Sequence, residues 1–296
     1  MSKKVLVIYK KSGYQLAKER KNKRLLELIE AGDESVATML STHEAHQDAL
    51  LQVRTDLASF KLDKVHVRYR ANTAEVSDYD LVITVGGDGT FLWASKFVGP
   101  DVPMLGVNSA PNSSVGFFTA TTAEGFRDTF ALFLDNNLSN TKLSRLKLEV
   151  NGDLVQDRIL NDVLFAAAHP AALTKYIFRK TRDGHEILGE MHRCSGIWVS
   201  TAAGSTGANL SAGGFPLPLG DTRGQFVVRE PMKNLETGIM IEHPKGFFKR
   251  SEAIEITCKT RKAVLACDGT TLTYPATTGD RIRISRSEES LHILGK

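Results

Sequence analysis

A short run of glycines around one carboxylate, Gly86-Gly87-Asp88-Gly89-Thr90, is the feature of this chain that most directly suggests chemistry. It follows an apolar run at 81–85 and precedes a helix-like pattern at 91–97, so a strand, a turn and a helix start succeed one another. Glycines let the backbone come close to a ligand, and the N–H groups at a helix start attract phosphate. A carboxylate repels phosphate unless it binds a metal ion or accepts a proton from a hydroxyl group. The turn therefore suggests phosphoryl transfer to an alcohol. An Asp88 that only caps the helix is the alternative.

Two further clusters carry side chains suited to a nucleotide. Residues 200–214 indicate a strand end, a turn and a short helix rich in hydroxyls, which suits phosphate or adenosine groups. A helix merely capped by Ser or Thr is the alternative there. Adjacent Asn161 and Asp162 offer a donor and acceptors for the vicinal hydroxyls of a ribose, or they terminate a strand.

Two other polar positions are less specific. Asp268-Gly269 has the pattern of a hairpin turn. Lys10 and Lys11 follow the first apolar run, at the edge where a parallel sheet exposes its ligand site. Lysines at strand ends are also commonly solvated, so both interpretations stay open.

Composition places the chain among ordinary globular proteins. Its 296 residues are 42% hydrophobic and 24% charged, enough for two domains with cores of their own. The net charge of +4 suits a small anionic ligand such as a nucleotide, and it falls short of the footprint of a nucleic-acid-binding protein. We therefore expect no nucleic-acid partner.

The cysteines and the N-terminus predict a cytoplasmic protein. Cys194, Cys258 and Cys267 are too few and too unevenly spaced for a disulfide framework or a zinc site, which favours a reducing compartment. A core strand pattern begins at Val5, leaving no room for a targeting peptide. No apolar run reaches the about 18 residues needed to span a membrane, so no membrane partner is expected.

The first part of the chain alternates strand and helix patterns. Strands are predicted at 5–9, 65–69, 81–85 and 104–107, and helices at 15–29, 35–57 and 123–134. This alternation favours an α/β domain with a Rossmann-like parallel sheet, in which ligands lie at the carboxyl ends of the strands. The turn at 86–90 falls at such an end.

From about residue 143 the pattern changes to strands separated by turn signals. The predicted strands lie at 146–150, 159–167, 176–179, 197–200, 238–242, 253–257, 263–266 and 281–285. Asn151-Gly152 and Asp183-Gly184 predict hairpins. We expect an α/β domain over residues 1–122 and a mainly β, sandwich-like domain over 123–296, with the C-terminal tail returning to the first domain.

The order of these motifs resembles the NAD kinase family. GGDGT follows a strand, and Gly106-Val107-Asn108 closes the next strand. Asn161-Asp162, an STxxGST…SxGG-like region at 200–214 and Asp268-Gly269 then follow in the family's order. The resemblance implies a two-domain kinase that transfers a phosphate of ATP, with Mg²⁺, to the 2′-hydroxyl of the adenosine ribose of NAD or NADH. It also implies a homo-oligomer, a dimer or a tetramer.

The resemblance implies roles for individual residues. Asp88 is the general base or the metal-bound activator of the 2′-hydroxyl, and Gly89 contacts the dinucleotide. The other implied substrate- or cofactor-binding residues, none of them a metal ligand, are Gly87, Thr90, Asn108, Phe117, Asn161, Asp162, Arg193, Ser195, Thr206, Gly207, Ser211 and Asp268. Within this set, 161–162 hold ribose and adenine-side groups, 206–211 line the adenine pocket, and 193–195 lie near the nicotinamide half.

The chain departs from the usual family pattern at three places. Cys194-Ser195-Gly196 stands where most members have Gly-Asp-Gly, Gly207-Ala208 lacks the usual tyrosine, and the loop at 106–116 is longer. The serine, the loop and the triplet Arg229-Glu230-Pro231 resemble the mitochondrial-type branch of the family. Without a targeting peptide, a bacterial member of that branch is the preferred interpretation.

Two other functions stay open at this point. GGDGT also occurs in lipid kinases and phosphofructokinases, so another kinase with a lipid or sugar-phosphate substrate is one alternative. The absent carboxylate and tyrosine make a non-catalytic NAD-binding sensor the other. The small, polar cluster at 200–214 favours a nucleotide over a lipid, and the retained Asp88 favours an enzyme.

Overall fold

The computed structural model describes residues 3–72, 76–233, 238, 240–270 and 272–296. These residues divide into two compact units, and the second is inserted into the sequence of the first. Unit 1 comprises the chain up to Thr141 together with Leu291–Lys296, and unit 2 comprises Lys142–Ser290. No helix in the described ranges is long and apolar enough to cross a membrane.

The elements alternate in unit 1 and are almost all strands in unit 2. Those that begin in unit 1 are β1 (Lys4–Tyr9), α1 (Gly13–Glu19), α2 (Lys23–Glu30), α3 (Met39–Ala58), β2 (Lys64–Tyr69), β3 (Leu81–Gly86), α4 (Asp88–Ser95), β4 (Met104–Asn108), β5 (Thr121–Thr122), α5 (Phe126–Leu134) and β6 (Asn140–Leu143). Those of unit 2 are β7 (Leu146–Val150), β8 (Asp153–Ile159), β9 (Asp162–Ala167), β10 (Thr174–Arg182), β11 (His185–Cys194), β12 (Gly196–Ser200), α6 (Ala208–Ser211), β13 (Gly224–Arg229), β14 (Lys245–Phe248), β15 (Glu252–Cys258), β16 (Ala263–Cys267), β17 (Leu272–Ala276) and β18 (Arg281–Arg286). Strand β19 (Leu291–Leu294) belongs to unit 1 again.

Unit 1 is built on a parallel sheet. β1 pairs in parallel with β2 and β3, and β4 pairs in parallel with β3, β5 and β19, which gives the order β2-β1-β3-β4-β19-β6. β3 and β4 are buried along their whole length, which explains why their sequences are continuous apolar runs. The carboxyl ends of β1, β3 and β4 lead into Lys10, the turn at 86–90 and Asn108. The predicted α/β domain is confirmed.

One predicted helix of unit 1 is interrupted. The pattern at 15–29 is two helices, because Lys21 has a φ of 50° and cannot continue α1. Asn22 caps α2 instead, its side chain accepting a hydrogen bond from the Leu25 N–H at 3.2 Å.

Unit 2 is a sandwich of two antiparallel sheets. Their strand orders are β11-β10-β15-β18-β7-β8 and β14-β13-β12-β9-β16-β17. One core joins their facing sides, with Leu148, Phe178 and Ile254 from the first sheet and Phe165 and Val199 from the second. This confirms the predicted sandwich-like β domain.

Both predicted hairpins of unit 2 are confirmed. Asn151 and Gly152 have φ values of 55° and 93° between β7 and β8. Asp183 and Gly184 have φ values of 50° and 82° between β10 and β11. Positive φ at both turn residues is the geometry that Asn-Gly and Asp-Gly favour.

Two strand predictions in unit 2 are wrong in part. The predicted strand at 159–167 is two strands, since β8 ends at Ile159 and β9 begins at Asp162. The strand predicted at 238–242 does not form at the described residues 238 and 240–242, and residue 239 lies outside the described chain. The Glu190 carboxylate accepts hydrogen bonds from the main-chain N–H groups of Glu242 and His243. These N–H groups are therefore not available for pairing with a neighbouring strand, and the strand forms later, at Lys245–Phe248.

The sequence boundary at residue 122 differs from the structural division. Residues 123–141 belong to unit 1, because α5 places Phe126 and Phe130 in its hydrophobic core.

Candidate active site

The turn at 86–90 connects β3 to α4 through glycines that let other atoms come close. A Cβ on Gly86 would lie 2.3 Å from Thr90 Oγ1, and a Cβ on Gly87 would lie 2.6 Å from Ser114 Oγ. Neither glycine has a positive φ. Close approach, rather than a left-handed backbone, is thus the reason for glycine at these positions.

Asp88 is the first residue of α4 and does not cap it. Gly87 occupies the N-cap position and no side chain caps the helix, so the capping alternative is wrong. The half-buried carboxylate of Asp88 instead accepts hydrogen bonds from the main-chain N–H groups of Phe117, at 3.0 Å, and Phe118, at 2.8 Å. It thereby ties the start of α4 to the end of the loop at 109–118.

Asn108 closes the other end of that loop. Its Nδ2 donates to the Ser114 carbonyl at 3.1 Å, and its Oδ1 accepts from the Ala110 N–H at 3.1 Å. Gly116 has a φ of 68°, and a Cβ there would lie 2.6 Å from Asn108 Nδ2. The predicted residues Gly87, Asp88, Asn108 and Phe117 are therefore brought together around one loop.

A cleft of about 530 Å³ opens beside Asp88. It is lined by Lys10, Thr38, Thr42, Arg70, Gly87, Asp88, Gly89, Thr90, Asn108, Ser109, Ala110, Ser113 and Ser114. Among the described residues of this lining, Asp88 is the only acidic one. Burial, and the nearby Arg70 guanidinium, lower the pKa of Lys10 below its usual value. Two cations, one carboxylate and several hydroxyls suit an anionic, phosphorylated ligand.

His46 and Arg70 contribute to this site, although the sequence analysis assigned neither of them a role. His46 is fully buried on α3, and its ring nitrogens contact the Lys10 carbonyl at 2.7 Å and Ser109 Oγ at 2.8 Å. Burial lowers the pKa of His46, which favours the neutral ring. Arg70 directly follows β2 at the carboxyl edge of the sheet, a position that could have indicated it; His46 lies within an ordinary helical pattern and gives no such signal.

The second polar cluster lies in unit 2 and is organised by Asp268. Its carboxylate accepts from the N–H groups of Leu160, Asn161 and Asp162, at 3.0, 2.7 and 3.3 Å. These bonds hold the connection between β8 and β9. Asp268 and Gly269 have φ values of 49° and 92° in the turn between β16 and β17, so the hairpin interpretation is confirmed. The Asp268 carboxylate additionally orders residues 160–162.

Asp162 lies buried within this cluster. Burial and the neighbouring Asp268 carboxylate raise the pKa of Asp162 to about 7. Asn161 is half-buried, and its Oδ1 is a buried acceptor with no hydrogen-bond partner in the described chain. An unsatisfied buried acceptor is expected where a ligand donates a hydrogen bond.

Residues 200–214 pack directly against that connection. The Thr201 hydroxyl donates to the Leu160 carbonyl at 2.5 Å, and a Cβ on Gly204 would lie 2.3 Å from the Asn161 carbonyl oxygen. A 3₁₀ turn at Ala203–Thr206 leads into α6. Thr206, Gly207 and Ser211 are exposed there. The structure thus brings residues 161–162, 206–211 and 268 into one region of unit 2.

Arg193 and Ser195 lie at the far end of β12 from this region. Ser195 N–H donates to the Arg229 carbonyl at 3.0 Å, whereas Ser200, at the other end of β12, pairs with Asp162. Five residue steps along a strand span about 17 Å. Within one chain, these two residues therefore do not join the cluster around Asp162.

Comparison with known proteins places the chain beside NAD and NADH kinases. Residues 5–137 match the family model "ATP-NAD kinase N-terminal domain". A probable NADH kinase of Oryza sativa subsp. japonica is 31% identical over 265 residues, covering 84% of this chain and 81% of the relative. An NAD kinase of Methanospirillum hungatei is 30% identical over 209 residues, covering 70% and 71%.

Two solved structures share the fold. Yeast NADH kinase in complex with NADH superposes with a TM-score of 0.68 at 17% identity, covering 100% of this chain and 84% of that one. An NAD kinase from Archaeoglobus fulgidus in complex with ATP gives a TM-score of 0.63 at 20% identity, covering 98% and 92%.

Proposed function

The chain belongs to the NAD kinase family, and from that premise we propose that it transfers the γ-phosphate of ATP to the 2′-hydroxyl of the adenosine ribose of NAD or NADH. The observation that carries the proposal is the cleft of unit 1, where Asp88 stands among cations and hydroxyls at a helix start. A ribose hydroxyl is a poor nucleophile at neutral pH, and a positioned carboxylate that accepts its proton accelerates attack about 10²–10⁴-fold.

Asp88 is the general base in this proposal. Each of its oxygens accepts one main-chain N–H and keeps a second acceptor direction for the substrate hydroxyl. The bond between the 2′-oxygen and the γ-phosphorus forms, the bond from that phosphorus to ADP breaks, and the hydroxyl proton passes to the carboxylate. The N–H groups at the start of α4 face the transferred phosphate.

Mg²⁺ is proposed to enter with ATP. Among the described residues, no group of three or more His, Cys, Asp or Glu side chains could hold a metal ion. The Asp88 carboxylate and the hydroxyls of the cleft fit a Mg²⁺ that keeps phosphate and water ligands. Such an ion neutralises charge on the phosphates.

Asn161 and Asp162 are proposed to bind the ribose, and Thr206, Gly207 and Ser211 the adenine. The unsatisfied Asn161 Oδ1 supports this assignment, because it can accept a hydrogen bond from a ribose hydroxyl. Arg193 and Ser195 stay assigned to the nicotinamide half by resemblance alone. The cytoplasmic location, the homo-oligomer and the mitochondrial-type branch also stay predictions.

The test is incubation of the purified protein with ATP, Mg²⁺ and either NAD or NADH, with detection of the 2′-phosphorylated product. Formation of NADP or NADPH is expected, and the ratio of the two rates gives the substrate preference. Binding of NAD without product formation would favour the sensor alternative. Phosphorylation of a lipid or sugar phosphate in place of NAD and NADH would favour another kinase.

A further inference from the structure

Two cations of the unit 1 cleft have no anionic partner among the described residues. Neither Lys10 nor Arg70 forms an ion pair with any described residue, although most of the other buried or half-buried cations do. Lys10 is half-buried and feels the positive charge of Arg70. Holding two like charges together costs free energy that a bound anion offsets.

Each of the two cationic residues is held in place by a neighbouring aromatic side chain, Arg70 by Trp93 and the main chain of Lys10 by His46. The Arg70 guanidinium lies 5.7 Å from the centre of the Trp93 ring, and Trp93 Nε1 donates to the Arg70 carbonyl at 2.8 Å. Since Trp93 belongs to α4, these contacts fix Arg70 beside the helix that begins with Asp88. The side chain is therefore ordered before a ligand arrives, which lowers the entropic cost of binding.

His46 fixes Lys10. A carbonyl only accepts hydrogen bonds, so His46 Nε2 carries the proton and donates to the Lys10 carbonyl at 2.7 Å. In the neutral ring, Nδ1 is then the acceptor for the Ser109 hydroxyl at 2.8 Å. One imidazole thus joins Lys10 and Ser109, which follow the carboxyl ends of β1 and β4 and both line the cleft.

A buried hydroxyl in the same cleft also lacks a hydrogen-bond partner among the described residues. Thr90 is 2% exposed, and its Oγ1 has no hydrogen-bond partner within the described ranges. It lies in the first turn of α4, close to the main-chain donors of that turn. A phosphorylated ligand in this cleft would bring acceptor oxygens to the side of α4 where this hydroxyl lies and to both cations.

We propose that Lys10 and Arg70 bind the terminal phosphates of the phosphoryl donor and that His46 is the positioning residue for Lys10. This assignment rests on the proposed function and adds to it the residues that recognise the donor. The two cations neutralise charge that builds up on the leaving diphosphate as the bond to the transferred phosphorus breaks. Free triphosphate and ATP share the recognised chemistry.

The first test is direct binding without the second substrate. ATP and inorganic tripolyphosphate are each titrated, by calorimetry, into the wild-type protein and into Lys10→Ala and Arg70→Ala. We expect the Kd for both ligands to rise about tenfold or more in each variant, the effect of losing one charged hydrogen bond. Lys11→Ala and Arg68→Ala are the matched controls, because the Lys11 ammonium pairs with Glu19 and the Arg68 guanidinium lies over Tyr79.

The outcomes separate this inference from the proposed function. Wild-type affinity for both ligands in Lys10→Ala and Arg70→Ala would overturn the phosphate site, even if the wild type makes NADP. Loss of affinity for both ligands supports the site, even if the wild type makes none. Loss of ATP binding with unchanged tripolyphosphate binding would assign the two residues to the nucleoside and overturn the inference.

The positioning role of His46 is tested by steady-state kinetics. His46→Gln keeps a donor near Nε2 and is expected to retain most of the affinity for ATP, whereas His46→Ala raises the KM for ATP several-fold with the KM for NAD unchanged. If His46 had only a structural role, each variant would change the KM for ATP and the KM for NAD together. Alternatively, His46→Gln and His46→Ala would lower the melting temperature by the same amount. Such a result would overturn the assignment of His46.

Discussion

In the proposed reaction, Asp88 uses the same two oxygens to hold a loop and to accept a proton. Its carboxylate holds the main-chain N–H groups of Phe117 and Phe118 before any substrate binds. These bonds fix the direction of the remaining acceptor positions, which is what a general base requires of its surroundings. If Asp88 is the base that we propose, the order of the loop and proton transfer depend on the same side chain.

Replacement of this carboxylate tests the proposed base. Asp88→Asn is expected to lower kcat about 10²–10⁴-fold, because an amide cannot accept the hydroxyl proton. The measurement is the rate of NADP formation at saturating ATP and NAD. Asp128→Asn is the matched control, since Asp128 is also an acid in the first turn of a helix. Full activity of Asp88→Asn would disprove the assignment.

Asp162 predicts a measurable pH dependence of stability. The folded-state pKa of this group is raised to about 7, so the folded chain favours the protonated form. The unfolded chain releases that proton near pH 4, and unfolding therefore becomes easier as the pH rises from about 4 to about 7. Above about pH 7 the penalty is complete.

Asp162→Asn is therefore expected to stabilise the protein at pH 8, by roughly 2–4 kcal/mol, and to flatten its stability between pH 4 and 7. Denaturant unfolding at several pH values measures this. The same variant should bind NAD more weakly if Asp162 contacts the ribose. Asp157→Asn serves as the comparison, since Asp157 is a half-buried carboxylate on the preceding strand, β8. A less stable Asp162→Asn at pH 8 would contradict the expectation.

At the level of residues, the sequence predicts the site residues that stand in short motifs and misses those that act through contacts between distant positions. Asp88, Asn161 and Asp268 stand in recognisable motifs beside glycine or at strand ends. The contacts of His46 with Lys10 and Ser109 join positions 36 and 63 residues apart, and nothing in the pattern of α3 indicates them. The alternative in which Asp88 only caps the helix is wrong, because the partners of its carboxylate lie about 30 positions away in the sequence.

At the level of elements, the turn at Ala203–Thr206 depends on one close approach. A Cβ on Gly204 would meet the carbonyl oxygen, carbonyl carbon and Cα of Asn161 at 2.3, 2.6 and 2.9 Å. These are main-chain atoms of a residue whose N–H is bound by the Asp268 carboxylate, so moving them away from a new Cβ would cost free energy.

Gly204→Ala is accordingly expected to cost about 1–3 kcal/mol of stability and to raise the KM for NAD. Thermal unfolding and kinetics at fixed ATP measure the two effects. Gly207→Ala is the control for stability, because the nearest atom to its Cβ would lie 3.6 Å away. Equal melting temperatures for the two variants would show that the Asn161 connection is mobile.

Helices, strands and turns are predicted correctly where the residues that determine them lie within the element itself. The buried runs at 81–85 and 104–107 and the Asn-Gly and Asp-Gly turns carry their signals within a few residues. β11 has exposed polar residues along much of its length and gives little alternation, yet its pairing with β10 makes it a long strand. The strand expected at 238–242 fails because a carboxylate from β11 binds its main chain.

At the level of the whole molecule, unit 1 depends on the last residues of the chain. Leu291, Ile293 and Leu294 are almost fully buried on β19, which pairs with β4. The Thr141 hydroxyl also donates to the Lys296 carbonyl at 2.6 Å. An alternation of strands and helices predicts a parallel sheet, but it does not indicate which strand of that sheet the C-terminal tail, expected to return to this domain, pairs with.

Deletion of residues 291–296 is expected to destabilise unit 1 by about 4 kcal/mol or more, since burial of each aliphatic side chain contributes about 1.5–3 kcal/mol. Amide hydrogen exchange measures this, with faster exchange expected in β3 and β4 than in β9 and β12. Deletion of Lys296 alone removes the bond to Thr141 and is the control. Unchanged exchange in β4 after the longer deletion would show that β19 is dispensable.

The return of β19 to unit 1 also constrains the order of events during synthesis. Unit 2 is continuous in sequence, and all of its described strands have been synthesised before Leu291 is added. The pairing of Ile293 with Met104 closes a loop of nearly two hundred residues and cannot form earlier. The part of the protein that is translated first is thus completed last, and until then one edge of its sheet is open to the chaperones that meet the nascent chain.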